Sequence, residues 1–131
     1  MSDRINISSK SPWEDIVGYS RAVRVGNVIE ISGTTAANGE EILGKNDIYL
    51  QTQYILQKVK DTLEQCGAEL KDVVRTRMYV TNIAQWQNAA RAHAEFFGSI
   101  KPASTMVEVS NLIHPHLLIE IEVSAIVQTD I

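Results

Sequence analysis

Between Leu117 and Val127 the sequence LLIEIEVSAIV alternates apolar and polar positions with a period of two. That period belongs to a β-strand, which sends successive side chains to opposite faces of a sheet. Ile119, Ile121 and Val123 fall on one face and Glu120 and Glu122 on the other. The same alternation recurs. In VIEIS, Ile29 and Ile31 oppose Glu30 and Ser32. In VVRTRMYV, Val74, Thr76, Met78 and Val80 oppose Arg75, Arg77 and Tyr79. In TMVEV, Val107 and Val109 oppose Met106 and Glu108. A chain with several such strands must build a sheet with one apolar face, and something has to cover it.

Two helices are available as the cover. Asn46 or Asp47 can cap the first, Leu56, Val59, Leu63 and Cys66 recur at helical spacing, and Gly67 suits the left-handed stop. The second opens at Asn82 with Gln85 three residues on, a capping-box variant. Its apolar face is expected to hold Ile83, Trp86, Ala90 and Phe97, and Gly98 closes it. YSRAVRVG and VIEISGT read as a hairpin turning at Gly26-Asn27. NISSKSPWED reads as a loop after a short first strand, and AANGEEILGKN as a glycine-containing loop. The order ββ-α-β-α-ββ predicts an α+β two-layer sandwich, a mixed sheet with two helices on one face.

At 131 residues the chain is expected to form a single domain spanning 1–131. A net charge of −4, with no basic run, points away from nucleic acid. No stretch reaches the roughly 20 apolar residues of a membrane span. MSDRINISSK has no apolar core of a secretory signal, and one cysteine fits a reducing compartment; the expected localisation is cytoplasmic.

The glutamate-bearing face has two readings. It meets water, or it meets another subunit and a ligand. Met106 and Tyr79, expected among its charges, suit a half-buried interface. Of the titratable groups Glu120 is the best acid–base candidate, because partial burial raises a carboxyl pKa towards neutrality. Paired structural glutamates are the alternative. Ser32-Gly33 lacks the flanks of a nucleophile elbow. His114 and His116 flank Pro115 and read as a solvated turn, His93 as an edge-of-core or interface histidine, and Cys66 as a packing residue. No metal or cofactor motif is present.

VGYSRAVRVGNVIEISG, LGKNDIYLQTQYILQKVKDTLEQCGAELKDVVRTRMYVTNI, KPAST and VEVSNL…IEIEVSAI together resemble the Rid/YjgF family, also labelled endoribonuclease L-PSP. The resemblance runs over nearly the whole chain from Val17. It implies a chorismate-mutase-like fold and a homotrimer with sheets facing inward and small-molecule clefts between subunits. Well-known members hydrolyse reactive 2-imino acids or their enamine tautomers to 2-keto acids and ammonia. It further implies cleft positions at Tyr19, Ser32, Gly33 and Glu120, the last thought to position water.

The sequence departs from the family pattern elsewhere. Ser104 stands where an arginine should clamp the substrate carboxylate, Ala90 where an asparagine is expected, and Met106 where a cysteine is expected. A guanidinium–carboxylate pair contributes about 1.5–3 kcal/mol, so keto- or imino-acid specificity does not transfer with the resemblance. Arg21, two residues from Tyr19, either reaches the same cleft or forms an ion pair between subunits. The expected ligand is a small carbonyl or imine compound. A metabolite-binding trimer without turnover is the alternative, and RNA cleavage the third, disfavoured by the acidic charge.

Overall fold

A computed structural model describes residues 3–128. Eight strands and three helices follow in order: β1 (Arg4–Ile7), α1 (Pro12–Val17), β2 (Ala22–Val25), β3 (Val28–Thr34), β4 (Ala37–Asn38), β5 (Glu41–Ile42), α2 (Ile48–Gln65), β6 (Val73–Val80), α3 (Trp86–Phe97), β7 (Ala103–Glu108) and β8 (Ile119–Ile126). Six strands form one sheet in the order β1-β2-β3-β8-β6-β7. All neighbours are antiparallel except β6 and β7, which α3 connects by a crossover. β4 and β5 form a separate small hairpin.

The expected α+β sandwich is the fold observed. The α2 residues Ile55, Leu56, Val59 and Leu63 join Ala89 and Phe97 of α3 over Ile29, Ile31, Ile119, Ile121 and Val123. Asp47 caps α2, its carboxylate accepting from the Leu50 N–H at 3.1 Å. Gly67, at φ 77°, turns the chain out of the helix, and the Ala68 N–H returns to Leu63 O. The β2–β3 turn falls at Gly26-Asn27 as expected, with Gly26 at φ 58°.

Four local expectations need correction. NISSKSPWED is not all loop, because Ser11 caps α1, Pro12 opens it and Gly18 closes it at φ 89°. Asn82 caps only a short 3-10 turn, and α3 begins at Trp86; Ile83 and Trp86 are exposed, and the buried face is Ala89, Ala92 and Phe97. In β6 a bulge between Val73 and Arg75 shifts the phase at the strand start. Val73 is buried there and Val74 is exposed, the reverse of simple alternation.

In β7 the phase is inverted. Met106 pairs with Met78 and packs on the core, while Val107 pairs with Tyr79 on the uncovered face and is exposed. Directly paired residues in a ladder share a face, so the buried partner strand decides which β7 residues turn inward.

Candidate functional site

The uncovered face is shaped by a bulge in β3 between Ile31 and Thr34. Ile31 lies opposite Val123 and Thr34 opposite Ile121, which leaves Ser32 and Gly33 together across from Glu122. Ser32 is fixed by two bonds: its N–H donates to Arg21 O at 3.0 Å and its hydroxyl to Ser20 O at 2.7 Å. The bulge brings Gly33 against Glu120. A Cβ at Gly33 would collide with Oε2 of Glu120 and lie 2.9 Å from its Cδ. Any side chain here would have to push the Glu120 carboxylate aside.

Arg21 completes this cluster. Its Nη2 donates to Gly33 O at 2.5 Å, and its Nε is buried without a hydrogen-bond partner. Burial lowers the guanidinium pKa, against the opposing influence of Tyr19, Glu14 and Glu120. Burial also raises the Glu120 pKa, the charge of Glu122 adds to the rise, and Arg21 opposes it. Glu122 accepts from the Tyr79 hydroxyl at 2.8 Å, which raises the Tyr79 pKa.

Tyr19, Ser20 and Ser32 form one wall of an open cleft of about 710 Å³, with Glu30, Glu122 and Arg77 among its other walls. Glu120, Arg21 and Gly33 are not among them, so this hollow stands beside the carboxylate cluster. The hydrogen-bonded cluster defines the site better than the hollow does, because the hollow is open to the same uncovered face.

Behind this cluster, α2 contributes Lys58. Its ammonium donates to Thr35 O at 2.6 Å and Ala37 O at 3.0 Å and sits 5.0 Å from the centre of the Tyr54 ring. Burial, with the charge of Arg21, lowers its pKa to about 8. Glu14 of α1 is held by Ser8 and Ser9: Ser8 Oγ donates at 2.9 Å and Ser9 N at 3.1 Å.

Tyr19, Arg21, Ser32, Gly33 and Glu120 are therefore gathered at one end of β2, β3 and β8. Ser104 and Met106 are not with them. They lie on the edge strand β7, beyond β6, and turn towards the helices. Ser104 is exposed, with its Oγ 2.8 Å from Thr76 Oγ1; Met106 packs on the core. Within one chain Met106 is a packing residue, and neither it nor Ser104 lies beside Glu120.

Glu122 lies opposite Arg77 in register, as its pattern suggested, yet no ion pair joins them among the described residues. Arg77 instead donates to Ser124 Oγ at 3.4 Å, and Arg75 to Thr105 Oγ1 at 2.8 Å. His114 Nδ1 accepts from the His116 N–H at 3.0 Å, which ties that ring into the turn. No group of three or more potential metal ligands occurs among the described residues. Sequence reasoning missed Thr76, Lys58 and Glu14. All three are polar residues at buried or half-buried positions, and periodicity alone treats such positions as packing or surface.

Residues 9–127 match the family described as endoribonuclease L-PSP. The chain belongs to the Rid/YjgF family. The chain is 46% identical to a crystal structure of a YjgF/YER057c/UK114 family member from Mycobacterium tuberculosis, with a TM-score of 0.88, over 95% of this chain and 100% of that one. It is 36% identical to a RutC family protein of Pyrococcus abyssi, over 95% of this chain and 98% of that protein. It is 29% identical to the 3-aminoacrylate deaminase RutC of Acinetobacter baylyi, over 79% of this chain and 82% of that protein. The expected chorismate-mutase-like architecture is the one this Rid/YjgF chain adopts. Among its described residues, no helix is long and apolar enough to cross a membrane.

Proposed function

We propose that this Rid/YjgF protein is a cytoplasmic homotrimer that hydrolyses small enamine, imine or related carbonyl compounds, with Glu120 orienting the attacking water. One observation carries the reading: a half-buried carboxylate, raised in pKa, rests on a glycine that no other residue can replace without collision. Such a carboxyl can accept a proton from water and return it to a leaving nitrogen near neutral pH. Ser32 and Tyr19 border the cleft beside it, and Arg21 supplies the nearby cation. The deaminase activity named for the Acinetobacter relative supports the reaction class.

The trimer is part of the same reading. Val25, Val28, Val107 and Ile126 are 45%, 47%, 42% and 46% exposed on the uncovered face, among Arg75, Arg77 and the glutamates. Apolar and charged groups mixed in this way suit an interface. A neighbouring subunit's β7 edge then closes the cleft, bringing its Ser104 towards Glu120. Light scattering should give about three chain masses. A stable monomer at micromolar concentration overturns the assembly and the composite cleft together.

With Ser104 in the clamp position, the favoured substrate carries a neutral group where a carboxylate would otherwise bind. The test couples an amino-acid oxidase to the protein and follows imine decay, alongside a neutral imine of similar size. Glu120→Gln should abolish turnover of the neutral imine while keeping the trimer. Equal decay rates with wild type and Glu120→Gln would falsify the catalytic role. Saturable ligand binding without turnover in wild type would instead support the metabolite-binding reading, which Ser104 favours. RNA cleavage is not proposed: the net charge of −4 and the glutamates of the open face repel a phosphate backbone.

A further inference from the structure

A row of hydrogen bonds runs from the core to the surface at β7, outside the Glu120 cluster. Thr76, with no solvent exposure, places its Oγ1 3.0 Å from His93 Nε2 and 2.8 Å from Ser104 Oγ. His93 comes from α3 and Thr76 from β6. Ser104 lies on β7, in direct register with Thr76. The imidazole leans on Phe97, with ring centres 4.8 Å apart. Burial lowers the His93 pKa and favours the neutral ring.

A threonine hydroxyl has one proton, so the row has only two polarities. In the first, His93 Nε2–H donates to Thr76, Thr76 donates to Ser104, and the Ser104 proton is free to point outward. In the second, Ser104 donates to Thr76 and Thr76 to His93 Nε2, and Ser104 offers only lone pairs. An isolated surface serine rotates freely. This one is held by a buried donor–acceptor chain. The nearby cation is turned away, since Arg75 donates to Thr105, which alternation places on the opposite face of β7.

We propose that His93 and Thr76 are positioning residues that fix the direction of the Ser104 hydroxyl and make it a contact for an uncharged ligand group that can donate a hydrogen bond to it, such as an amide. This rests on the proposed cleft, to which Ser104 contributes from the neighbouring subunit. A purely structural row would satisfy Thr76 in the core and leave ligand preference untouched.

The experiment measures binding of pyruvamide and of pyruvate to the full chain by ligand-observed NMR. Wild type should prefer the amide. Thr76→Val keeps the shape and removes the hydroxyl, and should shrink that preference about five-fold, as the loss of one oriented hydrogen bond predicts. Thr76→Ser should restore it. Ser104→Ala should remove it, with no further change on adding Thr76→Val. The His93 imidazole nitrogens should report one tautomer in wild type and a mixture in Thr76→Val. If Thr76→Val does not fold, His93→Gln takes its place.

An unchanged amide preference in the folded Thr76→Val or His93→Gln variant overturns the inference, as does a wild type that prefers pyruvate. If Glu120→Gln weakens both probes while Thr76→Val changes nothing, the proposed cleft stands and only this inference falls. Binding of neither probe to wild type overturns both.

Discussion

The two faces of the sheet are made by the same strands and hold opposite kinds of unfinished business. On the covered face even the polar residues are satisfied within the chain. Fully buried Gln51 donates to Gly44 O at 3.2 Å and His116 O at 2.9 Å, and accepts from Leu118 N at 2.9 Å. On the uncovered face Arg21 Nε is buried without a partner, Glu122 and Arg77 face each other in register without an ion pair, and valines stand in the open. The difference teaches that one face is closed by the chain's own helices, while the other keeps charges and apolar side chains that the single chain does not cover.

Substitutions on the two faces should therefore separate, and the largest effect belongs to the covered one. Ile121→Ala removes a fully buried side chain beneath the helices and should cost about 2–5 kcal/mol. Urea denaturation measures it. A loss under about 1 kcal/mol would mean that the helices do not close a core there.

Gly33→Ala sits where the faces meet chemically. The new methyl must displace the Glu120 carboxylate, at a cost of about 1–3 kcal/mol. The melting temperature should fall modestly, while turnover falls far more. An undiminished rate would show that Glu120 need not rest on Gly33.

Glu122→Gln weakens the hydrogen bond from Tyr79, a change of about 0.5–1.5 kcal/mol in the folded chain. Its sharper effect should be on assembly, read as a shift towards lighter species in light scattering on dilution. A trimer as tight as wild type would return this carboxylate to a solvent-facing role.

The smallest effect has the opposite sign. Burial raises the folded pKa of Glu120 above its unfolded value of 4.5. The folded state therefore binds the proton more tightly, and this group's contribution to stability is lost as pH rises through the folded pKa. Glu120→Gln should slightly raise the melting temperature at pH 8, and the gain should vanish towards pH 4. A loss at pH 8 that shrinks towards pH 4 would mean that the carboxylate is held by a cation after all.

Much of this was legible in the sequence, for identifiable reasons. Asp47, Gly67 and Gly26-Asn27 act through local backbone chemistry, which a sequence states directly. Glu120, Ser32, Gly33, Tyr19 and Arg21 converge because alternation places most of them on one face and the family resemblance adds their register. The failures all involve a partner strand or layer. Val73 and Val74 are chemically equal, so only the pairing with β8 reveals the bulge. Met106 and Val107 are almost equally apolar, so only the register with Met78 tells which one turns inward. Thr76 reads as a slightly polar core residue until His93 and Ser104 are brought beside it from α3 and β7.

The position of β8 bears on how the protein comes into being. The last strand of the sequence lies in the middle of the sheet, between β3 and β6, and joins Ser124 to Glu30 across 94 positions. On the ribosome, β1 to β3 and β6 to β7 emerge as two separate half-sheets with no shared edge. Neither can complete its ladder until β8 has emerged and entered between them. Most of the closure entropy is thus met in one step, the insertion of β8. The same step installs Glu120, so the cluster around Gly33 exists only once the two half-sheets are joined.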